Sequence, residues 1–423
     1  MLNVQVFFEI LLVGGLGVWL GLGMGRRRWI IGRGVEGRGE SGQVLELGDG
    51  GRAGDQGLGG LTLDGKPALY HCISRVVERR FAFGPDEKEK LRTFMRMYEN
   101  FSGNRILCYC FMCNHIHLLV EITPRPIGGL TDEELLGRLR WIHSEGQVAL
   151  VAKELAEARH AIAAGQVKDP EGFVRAIHER FTWRMHDLSQ FMKDFLQRYT
   201  QWHNGKHERT GHLWESRFKS VIVEDGVAAR TMAAYIDLNP VRAGIVTDPA
   251  EYRWSSYGEA IGGGAKGNGK KARAGLVRAM RAHRGTAADD AFWKDDVAVE
   301  YRKLLLSGAG ESVEERVNRS GKLEKIRVRK GMSSEELEVA RAKLREAAEK
   351  QVGGVPFGMM LRCRVRYFTD GAVIGSREFV NAAFVAARDR FGPKRKDGAR
   401  RMKGRGAAAA GALWSVRDLR KDV

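Results

Sequence analysis

The chain reads as an α+β fold: a ferredoxin-like antiparallel sheet with helices on one face, followed by a mainly helical C-terminal region. Three observations lead there. Between residues 66 and 240, segments with two-residue alternation interleave with segments of helical spacing. Their order is strand, helix, strand, strand, helix, strand, helix, which is the split βαβ layout. The apolar residues of the helical segments fall on single faces, as a layer laid on a sheet requires.

Each element has its own signal. Leu69-Tyr70-His71-Cys72-Ile73-Ser74 alternates and reads as the first strand. Pro85-Asp86-Glu87 places proline and acids in the first turn of a helix, and Leu91, Phe94, Met95 and Tyr98 mark its buried face. Arg105 to Met112 and His115 to Ile122 read as a hairpin. Residues 124–186 read as a charged helical insertion. Leu188, Phe191, Met192, Phe195, Tyr199 and Trp202 then recur at helical spacing. Phe218 to Val223 is the next strand, and Gly226 to Leu238 a helix that Pro240 stops.

The domain reading follows. Residues 1–62 are a Gly-rich, low-order extension, 63–260 a catalytic domain carrying the 124–186 insertion, 261–280 a linker, and 281–423 a basic, mainly helical region that binds DNA. Within it, 280–350 reads as helical and charged, and 361–392 as a short strand at Tyr367-Phe368 followed by a helix. The apolar run Phe7 to Leu22 holds Glu9 and several glycines and precedes Arg26-Arg27-Arg28. That is the wrong order for a signal peptide and a poor pattern for a membrane span.

With 423 residues and 43% hydrophobic content, the chain has ample material for a packed core. Its net charge of +18 points to a polyanion as partner. Residues 388–405 alone carry nine Lys or Arg against two Asp, a net +7. Five cysteines, odd in number and sparse, speak against a disulfide framework and for a reducing cytoplasm, with the protein at the nucleoid. Cys110-x-x-Cys113 lacks the second cysteine pair of a structural zinc site.

The chemistry centres on His115-Ile116-His117. In a strand, residues two apart share a face, so the two imidazoles stand side by side while Ile116, Leu118 and Val120 face the core. Paired imidazoles are a ready metal site. Downstream, Tyr235 and Asn239 are four apart and share one face of a helix. A phenol one turn from an amide oxygen, set against a metal site, suits tyrosine attack on a phosphodiester.

These residues carry a family resemblance. The His-hydrophobe-His pair, the block Leu213-Trp214-Glu215-Ser216-Arg217-Phe218 and the block Tyr235-Ile236-Asp237-Leu238-Asn239-Pro240-Val241-Arg242, in that order, resemble the single-tyrosine HUH transposases. Within that group, the run Gly211 to Ser220 leading into the Tyr235 helix resembles the REP-associated tyrosine transposases of the IS200-like superfamily. The family resemblance covers about residues 66 to 260. The resemblance implies an HUH endonuclease core in which Tyr235 is the nucleophile and His115, His117 and Asn239 hold Mg²⁺ or Mn²⁺. It further implies a metal-dependent DNA nickase and strand transferase that forms a 5′-phosphotyrosine on single-stranded or hairpin DNA.

Read from donor chemistry alone, two imidazoles and one amide oxygen lean toward Mn²⁺, because Mg²⁺ prefers oxygen. An unperturbed phenol has a pKa near ~10, so Tyr235 needs a nearby cation to ionise. Tyr199 is its main rival but lies in the apolar stripe of its helix. Trp214, Arg217, Lys219 and Arg242 form the expected DNA-binding surface, Arg and Lys meeting phosphates and Trp stacking on bases. No small-molecule cofactor is called for, and a homodimer is left open. Two alternatives remain: a non-catalytic DNA-binding protein of the same fold, and a metal-dependent nuclease that uses water.

Overall fold

The structure is a computed structural model. It describes residues 67–262, 269–281, 297–309, 312–317, 323–329, 366–388, 395–402 and 413–416, and a few isolated positions between them. The extension 1–62 lies outside these residues. The ferredoxin-like unit consists of β1 (Ala68–Arg75), α1 (Pro85–Ser102), β2 (Arg105–Phe111), β3 (His115–Ile122), α5 (Leu188–Lys206) and β4 (Lys219–Val223). Its strands run in the order β2-β3-β1-β4, all antiparallel. The insertion supplies α2 (Asp132–Leu139), α3 (Glu145–Ala163) and α4 (Pro170–Thr182).

Alternation along the strands sorts the side chains into two layers. Tyr70, Cys72, Tyr109, Phe111, Ile116, Leu118 and Val120 face α1 and α5, meeting Leu91, Phe94, Met95, Phe191 and Phe195. These two helices lie on one face, as the sequence predicts. A register shift between Ile106 and Cys108 keeps Ile106 and Tyr109 on that same side. Leu69, Cys110, Leu119, Val221 and Val223 face the other way. That second face is covered by helices beyond the ferredoxin-like unit: α6 (Val227–Asp237), α8 (Ser256–Gly262), α9 (Lys270–Met280) and α10 (Val297–Ala309).

Helix α6 is anchored by its last residue. The buried Asp237 carboxylate accepts hydrogen bonds from Tyr301 Oη at 2.6 Å, Tyr257 N at 3.1 Å and Cys108 Sγ at 3.4 Å. Burial pushes its carboxyl up to about 6, opposed by these donors. Pro240 does not end the helical path. It sits in the first turn of α7 (Asn239–Arg242), where a missing N–H costs nothing.

Three sequence expectations are corrected. Residues 270–280, read as linker, form α9, which buries Ala272, Leu276 and Ala279 against the sheet. Gly275 permits that approach, because a Cβ there would lie 2.6 Å from the Ile106 carbonyl oxygen. Within 280–350, read as helical, Ser312–Val317 (β5) and Leu323–Arg329 (β6) pair as an antiparallel hairpin, the alternation hidden by charged residues. Tyr367-Phe368, read as a strand, lies in the short helix Arg366–Asp370. The chain then turns at Gly371, where a Cβ would meet Tyr367 O at 2.6 Å, and the strand is Val373–Gly375 (β7). The C-terminal region accordingly adds strands as well as helices. β7, β9 (Trp414–Val416) and β8 (Arg400–Arg401) extend the sheet beyond β4 to seven strands.

The insertion has a core of its own. Leu135, Leu139, Val148, Leu155, Val174 and Ile177 pack together and onto Phe101 at the end of α1. Thr131 and Ser144 cap α2 and α3 through reciprocal bonds with Glu134 and Gln147. Among the described residues, no helix is long and apolar enough to cross a membrane.

We predict that Asp237→Ala lowers unfolding stability by about 2–3 kcal/mol, because it strands a buried hydroxyl and a buried backbone N–H. Urea denaturation checks this. A midpoint equal to that of the unsubstituted chain would show that α6 is held by packing alone.

Candidate active site

His115 and His117 stand on the second face of β3, as their spacing predicts, and His117 is only 2% exposed. Their rings lie 5.0 Å apart, edge to face. The register of β1 against β3 places a third imidazole beside them. His71 Nε2 and His117 Nδ1 are 2.9 Å apart, and the two rings stack at 5.1 Å.

Hydrogen bonding fixes the tautomers. His71 Nδ1 lies 2.8 Å from the Phe368 carbonyl oxygen, which can only accept, so that nitrogen carries the proton. In a neutral imidazole the other nitrogen is then an acceptor. His71 Nε2 therefore receives the Nδ1 proton of His117, leaving Nε2 of His117 with a lone pair. His115 Nδ1 donates to Asn114 Oδ1 at 2.7 Å, which leaves its Nε2 in the same state. Burial drives all three toward the neutral form. His71 and His115 are each pushed down to about 4, and His117 well below the ordinary value, with His115, His71, Arg75 and Arg242 adding to the effect.

Tyr235 reaches this cluster from α6 across the sheet. Its ring meets His71 and His117 edge-on, each at 5.9 Å. The Arg242 guanidinium lies over the ring at 4.9 Å, and Phe368 stacks on it at 4.4 Å. Tyr235 is only 1% exposed. Tyr199 is buried on the opposite face of the sheet, among Phe83, Trp202 and Trp214.

The other predicted residues divide. Arg217 and Lys219 line a small, shallow cavity with Ile73, Arg75, Glu215, Ser216 and Thr369. Ile73 pairs in register with both His117 and Lys219, so the cavity opens beside the histidines. Arg242 lies on Tyr235. Trp214 stands apart. Its ring packs on Phe83 and Tyr199, and its indole N–H donates to Thr200 Oγ1 at 2.9 Å. Asn239 closes its own helix, Nδ2 donating to Tyr235 O at 3.1 Å and Ile236 O at 3.2 Å.

Sequence reasoning missed His71, Arg75 and Phe368. His71 was readable in principle, since its odd position in an alternating strand shares a face with Leu69 and Ile73. What set it beside His117 was the strand register, and a single strand does not encode that.

As to metal, the two Nε2 lone pairs suit a borderline divalent ion. Among the described residues, no group of three His, Cys, Asp or Glu side chains is arranged to hold one. Cys72, Cys108 and Cys110 are buried, and burial raises the thiols of Cys108 and Cys110 well above their ordinary range. They behave as small core residues.

Comparison with known proteins adds one observation. Residues 66–127 match the family model described as Transposase IS200 like. This segment resembles the IS200-like transposases. The matched span runs from β1 to just past β3 and includes His71, His115 and His117, whereas Tyr235 and the later blocks lie outside it. It points to DNA processing of the transposase type. Among solved structures, a REP-associated tyrosine transposase bound to a REP hairpin aligns at 12% identity. That alignment covers 46% of this chain and 79% of the other, with a TM-score of 0.29. No curated protein matches the chain.

The buried imidazoles carry a pH signature. His71 and His115 protonate near pH 4 in the fold, and His117 is likewise pushed down, against ~6.5 in the unfolded chain. Between those values the unfolded chain binds more protons, so stability rises with pH through this window and is lost as pH falls. Asp237 acts in the opposite sense below about pH 6, one carboxyl against several imidazoles. We predict that Tm drops as pH is lowered from about 6.5 to 4.5, and that His71→Gln lessens the drop. A flat Tm across that window would show that the imidazoles are not held neutral.

Proposed function

We propose that this protein is a single-stranded DNA endonuclease and strand transferase of the transposase type, with Tyr235 as nucleophile. The observation that carries the reading is the meeting of Tyr235 with His71 and His117 from a separate element, more than one hundred residues along the chain. Two alternatives explain it less well. A non-catalytic DNA-binding fold has no need to fix imidazole tautomers, and a water-using nuclease has no need of the tyrosine.

In this reading Arg75, Arg217 and Lys219 hold the scissile phosphate in the cavity beside the histidines. Tyr235 Oη attacks phosphorus in line. The Oη–P bond forms, the P–O3′ bond breaks, the phenol loses its proton and the departing 3′ oxygen gains one. A 5′-phosphotyrosine and a free 3′-hydroxyl result, and attack by a different 3′-hydroxyl restores a phosphodiester. His115 and His117 would hold Mg²⁺ or Mn²⁺ through Nε2, with Asn239 Oδ1 as the proposed third donor. Such an ion would polarise the phosphate and favour the phenolate. Arg242 stabilises negative charge at the phenol ring it covers.

The same geometry makes Phe368 a cover. A phosphate can reach Tyr235 only if the short helix Arg366–Asp370 shifts from the ring it stacks on. The preferred partner is hairpin DNA with an unpaired flank, and repeat DNA near the gene is the natural source.

We predict that hairpin DNA and Mn²⁺ give a protein–DNA complex that survives a denaturing gel. Tyr235→Phe should abolish it and Tyr199→Phe should not. Cleavage that persists in Tyr235→Phe would point to water as the nucleophile. Phe368→Ala keeps the carbonyl that orients His71 but removes the stacked ring, an interaction of about 0.5–1.5 kcal/mol. Adduct formation should then be roughly 2- to 10-fold faster. A slower rate would mean that Phe368 positions the tyrosine instead of covering it.

A further inference from the structure

Beside the histidine pair lies a loop that the reaction as proposed leaves unused. After Arg75 the chain folds back over the turn that joins β2 to β3. Val76 N donates to Asn114 O at 2.9 Å, and Phe83 N donates to Cys113 O at 3.0 Å. Asn114 then ties the loop to the site with one side chain. Its Nδ2 donates to Arg79 O at 2.8 Å, while its Oδ1 accepts the His115 Nδ1 proton. The position of the loop and the orientation of His115 are therefore set together.

The loop is held in an unfavourable shape. Glu78 and Arg79 have φ of 57° and 56°, a region that residues bearing a Cβ seldom enter. Strain of this kind gathers at ligand clamps. Its effect here is to split two nearby aromatics. Phe83 turns inward, against Tyr199 and Trp214, and anchors the loop. Phe81 turns outward and is 84% exposed.

The loop that carries Phe81 also carries cations, of which Arg80 pairs with Glu78 at 3.6 Å. Arg79 and Arg80 precede Phe81 and are exposed. Arg75 lies at the base of the loop, and Arg217 lines the same cavity as Arg75. The segment carrying Arg217 is fastened to the loop by Val77 N donating to Leu213 O and Glu215 N donating to Arg75 O. An exposed aromatic with cations beside it in the chain, on a loop tied to a site for phosphate chemistry, matches single-stranded nucleic acid in both of its parts. Cations meet the phosphates and the ring meets a base. Trp214, expected from sequence to stack on DNA, is committed to Thr200 and the core.

We propose that Phe81, with Arg79 and Arg80, forms a base-stacking subsite that holds an unpaired nucleobase adjacent to the phosphate at His115 and His117. The proposal deepens the reading of the site as one acting on single-stranded DNA. Its binding test does not require the covalent step.

The experiment uses the full chain carrying Tyr235→Phe, so that the strand stays uncleaved. It is titrated with a hairpin oligonucleotide whose single-stranded flank carries 2-aminopurine at successive positions. Quenching is expected at one flank position. Adding Phe81→Ala should remove that quenching and weaken binding roughly 5- to 100-fold. Phe81→Trp should keep both, whereas Phe81→Leu should behave like Ala. Arg79→Ala and Arg80→Ala should each lower the salt slope by about 0.7, and Phe81→Ala should leave it unchanged.

Unaltered affinity in Phe81→Ala, full rescue by Leu, or no quenched position would overturn the subsite. Rescue by Leu would mark a generic apolar surface such as a protein contact. With Tyr235 restored, the two readings separate. Phe81-dependent quenching without any adduct would sink the covalent reading and support the subsite. An adduct formed with Phe81-independent binding would do the reverse.

Discussion

The site depends on one constraint, the register of β1 between β3 and β4. β1 is the only one of the four ferredoxin-like strands to pair with both of them, Ile73 facing His117 on one side and Lys219 on the other. A slip of one residue on β1 would send His71 to the other face, among Tyr70 and Cys72. The hydrogen-bond chain from Phe368 O through His71 to His117 would then be broken. With it would go the reason for His117 to keep its outer nitrogen unprotonated. The two hydrophobic layers enforce this register, because β1, β2 and β3 carry buried residues on both faces and neither set tolerates exchange.

Local signals made much of this legible. Alternation and helical spacing yielded the ferredoxin-like order, the hairpin that carries His115 and His117, and the face they occupy. The segment before Pro240 read correctly as helix α6, but the continuation into α7 past that proline did not show. What stayed hidden was non-local. His71 looks like any residue of an alternating strand until β3 is laid beside it. Phe368 acts through its backbone carbonyl, which no side-chain pattern reports, and its neighbourhood turns at Gly371 in a way that aromatic content disguises as a strand. Helix α9 was masked by the glycines and lysines before it. Trp214 failed as a base-stacking candidate for a related reason. Composition cannot say whether an indole N–H has a partner, and here Thr200 supplies one.

The distribution of charge decides where a polyanion would be drawn. The insertion 124–186 carries nine Lys or Arg and nine Asp or Glu, so it adds nothing to the net +18. Many of its charges are tied to one another, as in Arg159 with Asp132 and Arg180 with Glu154. Exposed pairs of this kind contribute little to stability and present no net field. The cations around the histidines differ. Arg75, Arg217 and Lys219 share one cavity with Glu215, Arg79 and Arg80 lie on the loop that follows Arg75, and Arg242 lies on Tyr235. Arg75, Arg217 and Lys219 outnumber Glu215 in that cavity, and a cleft with an excess of one sign of charge raises the local concentration of an oppositely charged ligand. Burial is the main cause of the lowered histidine pKa values, and Arg75 and Arg242 add to it, so these two cations also help keep the imidazoles neutral. Attraction and chemistry are thus set by one cluster. The neutral insertion, with its separate core and its dock on Phe101, is free to serve shape instead of charge.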